Sequence, residues 1–177
     1  MPSLPATVSV PVKLISKTGT YDEANKKINW TITVNESGRT IDNAVVTDTI
    51  PAGLKLDPET IKVGDTSESA DAAAPTTVSY TFTDYATEST FSHSLGKITG
   101  PRVIKFSTAV NPEVYNHNNE KDNQYINTAY INGSGILDES GTGKGTPGTG
   151  TVPVPTSIIS KSGSYDASAV LLPGQLL

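Results

Sequence analysis

The sequence predicts an all-β sandwich, on three observations. Thr, Val, Ser, Asn and Gly dominate the chain, and helix-forming runs are scarce. Turn residues recur at intervals of about ten, the spacing of short strands joined by tight connections. The stretch KKINWTITVN alternates cleanly, with Ile28, Trp30, Ile32 and Val34 on one side and Asn29, Thr31 and Thr33 on the other.

Taken in order, residues 8–17 form a first strand interrupted by Pro11, which suits an edge. Lys13, Ile15 and Lys17 share one face of it. The alternating strand 28–34 follows. Residues 41–50 make the next one, with Ala44, Val46, Asp48 and Ile50 on one parity, so that a carboxylate sits on an apolar face. LKLDPETIKV supplies a short strand on either side of Asp57-Pro58, and residues 64–76 read as a mobile polar loop. Further strands are expected at 78–83, 95–99 and 102–110, then a polar excursion over 111–123 with a helical turn at 112–115. The last strand of the module, 124–132, places Asn127 among Tyr125, Ala129 and Ile131.

An internal repeat sets the organisation. TVSVPVKLISKTGTYD at 7–22 returns as TVPVPTSIISKSGSYD at 151–166, without a gap, at an offset of 144 residues. A period of that length is a domain length. The reading is one module over 1–135, a flexible Gly/Thr-rich linker over 136–150, the first strand of a following repeat over 151–166, and an added tail over 167–177 that is not a sortase signal. That orphan strand is expected to be disordered or to exchange onto the sheet of a neighbouring molecule.

Composition narrows the function. A net charge of -5 argues against nucleic acid and offers anionic membranes no basic patch. The chain has no cysteine, which removes disulfides, thiolate nucleophiles and cysteine-bound metal. No apolar run reaches the ~20 residues of a membrane span, and MPSLPATVSV lacks the basic and apolar regions of a signal peptide. SGTGKGT is a poor phosphate loop because Gly145 follows the lysine. His93 and His117 read as surface residues in polar loops, and 113–122 lacks calcium-loop spacing. Asn29, Asn35 and Asn132 open N-x-[ST] triplets, a pattern too short to assign a function by itself. No cofactor or metal site is predicted.

One constellation carries chemistry. If Lys17, Asp48 and Asn127 meet in a dry core, a neutral Lys17 amine can attack the Asn127 carbonyl and release ammonia, while a protonated Asp48 acts as general acid. The product is an amide cross-link, formed once per molecule and without turnover. Taken singly, each residue has a plainer role: a solvated edge charge, a cap for backbone amides, and a satisfied core amide. Three scattered buried polar groups are costly unless they satisfy one another.

The segments SKTGTYD, INWTITVN, AVVTDTIPAGLKLDPETIKV and YINTAYINGSG together resemble the collagen-binding-adhesin type of immunoglobulin-like domain, found in cell-wall-anchored surface proteins of Gram-positive bacteria. The resemblance covers about 8–135 in matching order. It implies an immunoglobulin-like β-sandwich, an extracellular setting, and an intramolecular isopeptide bond between Lys17 and Asn127 promoted by Asp48. Lys13 is the reserve amine. The expected role is a stalk module of a repeat-containing adhesin or fibre, with neighbouring repeats as partners. The alternative is a ligand-binding domain gripping a host matrix protein or glycan, and a hydrolase would need a nucleophile motif that is not seen.

Overall fold

The computed structural model describes residues 13–81, 84–115, 123–136 and 145–155. The framework begins with β1 (Ile15–Asp22) and β2 (Lys27–Val34), an antiparallel pair in which Lys17 faces Ile32 and Gly19 faces Trp30. Ile28, Trp30, Ile32 and Val34 are all buried, so the period-2 pattern is the inward face of β2. The turn after β2 is held by Asn35, which adopts a left-handed φ of 58°. Its side-chain amide donates to the carbonyls of Arg39 and Gly100, and its side-chain oxygen accepts from the Arg39 N–H.

β3 (Ile41–Ile50) keeps Ala44, Val46, Asp48 and Ile50 inward. A bulge at its start, with Asn43 at φ 55°, turns Ile41 inward as well, although the alternation alone would have pointed it outward. β4 (Leu54–Gly64) is one long strand with an irregularity between Asp57 and Lys62, where two separate strands were expected. Within the expected loop 64–76 lies a short helix, α1 (Ser67–Ala72). Thr66 and Ser69 form a reciprocal capping box at its start, and Ala70 packs inward.

β5 (Ser79–Tyr80) is followed by β6 (Ser89–Ile98) and β7 (Arg102–Val110). β6 begins well before the expected 95–99, which places His93 on a strand, half-buried, and not in a loop. His117 lies outside the described residues. A 3-10 turn at Pro112–Tyr115 leads towards β8 (Asn123–Asn132), and β9 (Thr146–Val154) follows.

The strands form two antiparallel sheets, ordered β1-β2-β7-β4 and β5-β6-β3-β8-β9. Their inner faces meet in one core, where Phe91 of one sheet packs edge-on against Phe106 of the other at 5.0 Å. Trp30 fills the centre, and its Nε1–H donates to Thr108 Oγ1 at 3.0 Å, satisfying the one polar atom of that ring. Each fully buried isoleucine of this layer contributes about 1.5–3 kcal/mol.

β9 departs most from the sequence expectation. Residues 146–150, expected within a linker, form a strand, and residues 151–154 continue it along β8 of the same module, with β1 still in its place. Thr146, Gly148, Gly150, Val152 and Val154 point inward, while Pro147, Thr149, Thr151 and Pro153 point outward. The prolines share the outward parity of an edge strand, where a missing N–H costs no ladder bond. The glycines mark close approach: a Cβ on Gly148 would stand 3.1 Å from Ile15 Cγ1. The rest of the repeat segment, 156–166, and the tail 167–177 lie outside the described residues.

Candidate functional site

Lys17 enters the core from β1, the edge of the first sheet. Asp48 comes from β3 in the interior of the second sheet, where its Cα partners are Phe91 and Ala129. Asn127 lies on β8, two residues from Ala129 and on the same inward face. The Lys17 ammonium donates to Asp48 Oδ2 across the sandwich, and both side chains are wholly excluded from solvent. Lys13, two residues before β1, is exposed, so the buried amine of this pair is that of Lys17.

Two aromatic rings complete the lysine's surroundings. Lys17 Nζ lies 5.0 Å from the Trp30 ring centroid and 5.1 Å from that of Phe106. Neither ring was singled out from the sequence. The available signal was that the sole tryptophan lies on the inward parity of the most regular strand.

Burial acts on both charges. Desolvation lowers Lys17 from 10.5 to about 8, against the opposing attraction of Asp48. Desolvation likewise raises Asp48, and Lys17 and Asn127 only partly offset the rise. Both shifts favour moving a proton from the amine to the carboxylate, which leaves a neutral nucleophile beside a neutral acid. The Asn127 carboxamide lies near enough to Asp48 to influence it, yet neither Asn127 Oδ1 nor Nδ2 reaches hydrogen-bond geometry with a partner among the described residues. We read this as proximity without alignment. A buried carboxamide with both polar atoms unpartnered costs about 1–3 kcal/mol, so its conversion would relieve an existing penalty.

The pair has a pH signature. In a chain unable to cross-link, such as Asn127→Ala, the lowered Lys17 means that the unfolded state binds more protons between about 8 and 10.5, so stability rises with pH in that window. The raised Asp48 has the opposite sign: above its ordinary 3.8 the folded state holds the proton longer, and stability falls as pH rises towards its folded value. Urea midpoints taken from pH 4 to 10.5, relative to a Lys17→Met/Asp48→Leu chain, should therefore dip and then recover. A flat difference would show that the two groups carry no burial penalty.

A second feature is a groove at the opposite edge of the sandwich, lined by Lys27, Lys55, Leu56, Asp57, Tyr80 and Tyr85. Tyr80 is one of two large apolar side chains exposed by more than half among the described residues. Among the described residues no group of three or more His, Asp or Glu is placed to hold a metal, and no helix is long and apolar enough to cross a membrane.

Comparison with known proteins places residues 12–141 under the family model described as the collagen binding domain. Among solved structures, the chain is similar to the Enterococcus faecalis protein ACE, described as binding its ligands by a collagen hug, with 10% identity over 84% of this chain and 52% of that one and a TM-score of 0.52. The collagen adhesin of Staphylococcus aureus aligns at 16% identity over 82% of this chain and 50% of its own, with a TM-score of 0.47. The collagen binding domain of the Erysipelothrix rhusiopathiae surface protein RspB aligns at 23% over 80% and 46%, with a TM-score of 0.45. The chain thus spans about half the length of each of these three structures. At such identities the likeness is one of fold. A comparison with curated protein sequences finds no match.

Proposed function

The chain belongs to the collagen binding domain family, and on that premise we propose that it is an adhesin domain, displayed outside a Gram-positive cell, that engages a host extracellular-matrix protein and is locked by its own cross-link. The family match supports the ligand-engaging role over the plain stalk. The groove adds to that support, because it presents the exposed Tyr80 and the half-buried Tyr85 beside charged side chains, and tyrosines are frequent anchors of protein recognition. A triple-helical collagen peptide immobilised on a sensor should bind the chain. A Tyr80→Ala/Tyr85→Ala chain should bind at least about tenfold more weakly. Unchanged affinity would remove the groove from the interface, and no binding to any collagen would leave the stalk reading, which the internal repeat supports.

The cross-link rests on one observation: the buried Lys17–Asp48 pair lies beside the unpartnered carboxamide of Asn127. In the step, Lys17 passes a proton to Asp48 and its Nζ attacks Asn127 Cγ. The acid hydrogen-bonds to the carbonyl oxygen as charge develops there. The Cγ–Nδ2 bond then breaks, Asp48 delivers a proton to the leaving nitrogen, and ammonia departs. Nζ loses its second proton to the carboxylate, so Asp48 ends as the neutral acid, carrying the proton that the lysine ammonium brought in. The product joins the two sheets through the core, and no oxidant is consumed. Digestion of the full chain should yield a branched peptide linking β1 to β8, with a mass one ammonia below the sum of its parts.

A further inference from the structure

We propose that β9 completes the cross-linking site and that Gly150 is its positioning residue, the absent side chain there letting β9 seal the gap between the strands of Lys17 and Asn127. This rests on the cross-link reading above. In the β8–β9 ladder, Gly150 is the Cα partner of Asn127. Across the seam it lies against β1, where a Cβ would stand 3.2 Å from Trp30 Cζ3 and 3.3 Å from the Lys17 carbonyl oxygen. One backbone position therefore borders the nucleophile's strand, the electrophile's strand and a ring that flanks the amine.

The seam is built for this on both sides. Gly148, the partner of Ala129, meets Ile15 in the same way, and a Cβ on Gly19 of β1 would stand 2.5 Å from Val152 Cγ2. Glycines on both sides of a seam allow an approach that side chains in their place would prevent. Without β9, β8 would be a sheet edge, as β1 already is, and Lys17 and Asn127 would flank an opening to water. Val152 and Val154 are buried along that opening and close it. Burial is the dominant influence on both Lys17 and Asp48, so the strand that excludes water also prepares their protonation states.

The test uses the full chain made by cell-free synthesis, sampled over time, with ammonia loss followed by intact mass at several pH values. Gly150→Val is expected to slow the loss by about ten- to a hundredfold through displacement of the reacting groups. It should also move the rate profile to higher pH, because a solvated Lys17 keeps its proton longer. Thr151→Val, on the outward face, should match the unsubstituted rate and profile. A Gly150→Val chain that reacts at the unsubstituted rate and pH overturns the proposal. Should that chain lack a β-sheet circular dichroism spectrum, Gly150→Ala is judged by the same two criteria. An unsubstituted chain that never loses ammonia overturns the cross-link reading itself, a result separate from any difference within the Gly150 series.

Discussion

The Asn127→Ala chain is expected to keep its full calculated mass, where the unsubstituted chain falls one ammonia short, and to unfold about 10–20 °C lower. The magnitude follows from loop closure. A bond from Lys17 to Asn127 closes a loop of roughly a hundred residues, and such a link removes about 4–5 kcal/mol of unfolded-chain entropy. In a domain of this size each kcal/mol moves the midpoint by about 2–4 °C. The substitution leaves a small cavity, which costs further, but it also removes the unpartnered carboxamide. These opposing local effects are each smaller than the loop term, so the loss of the cross-link decides the sign. Intact mass and calorimetry on the two chains check the pair of outcomes together, and an unsubstituted chain at its full calculated mass would sink the expectation.

Asp48→Ala should be the most damaging change to the site. It is expected to stop the proposed reaction and also to leave the Lys17 ammonium buried without its ion-pair partner. Breaking a buried pair from one side costs about 3–5 kcal/mol, beyond the loss of the cross-link. The proper reference is Asn127→Ala, which is also uncross-linked but keeps the pair. Replacing both charges, as Lys17→Met/Asp48→Leu, should recover most of that extra loss, because apolar groups of similar volume are often neutral or better in place of a buried pair. Urea unfolding of the three chains gives the comparison. If Asp48→Ala proves as stable as Asn127→Ala, the lysine is not held as a buried charge.

Most of the site was legible in the sequence because its residues break the apolar alternation of their strands. Asp48 and Asn127 occupy inward positions between isoleucines, valines and alanines, and Lys17 shares a face with Ile15; only the fold could show that these faces oppose one another. The choice between Lys17 and Lys13 was not legible, since both fall on one parity and burial alone separates them. The short helix α1 was hidden because six polar and small residues carry no helical hydrophobic period, although Thr66 and Ser69 offered a capping signal.

β9 was hidden for a different reason. Composition classes Thr-Pro-Gly-Thr-Gly as linker, whereas its parity puts small residues inward and prolines outward, the pattern of an edge strand pressed against another backbone. Gly148 and Gly150 are glycines because of their neighbours, and those neighbours are distant in the sequence. The bulge at Asn43 is a similar case: a one-residue slip reverses the facing of every position before it, and period counting cannot register it.

The position of β9 also sets an order of events. It is the last described strand to emerge from a ribosome or an export channel. On the assignment made above, until residues 146–154 arrive, Lys17 and Asn127 belong to strands with an open side, and the chain remains a linear polymer that can be threaded, withdrawn or refolded. On the same assignment, it is the arrival of β9 that commits the chain to a closed covalent loop. Under that assignment a pairing error between early strands stays reversible until β9 arrives, and irreversibility is deferred to the moment when the site is enclosed.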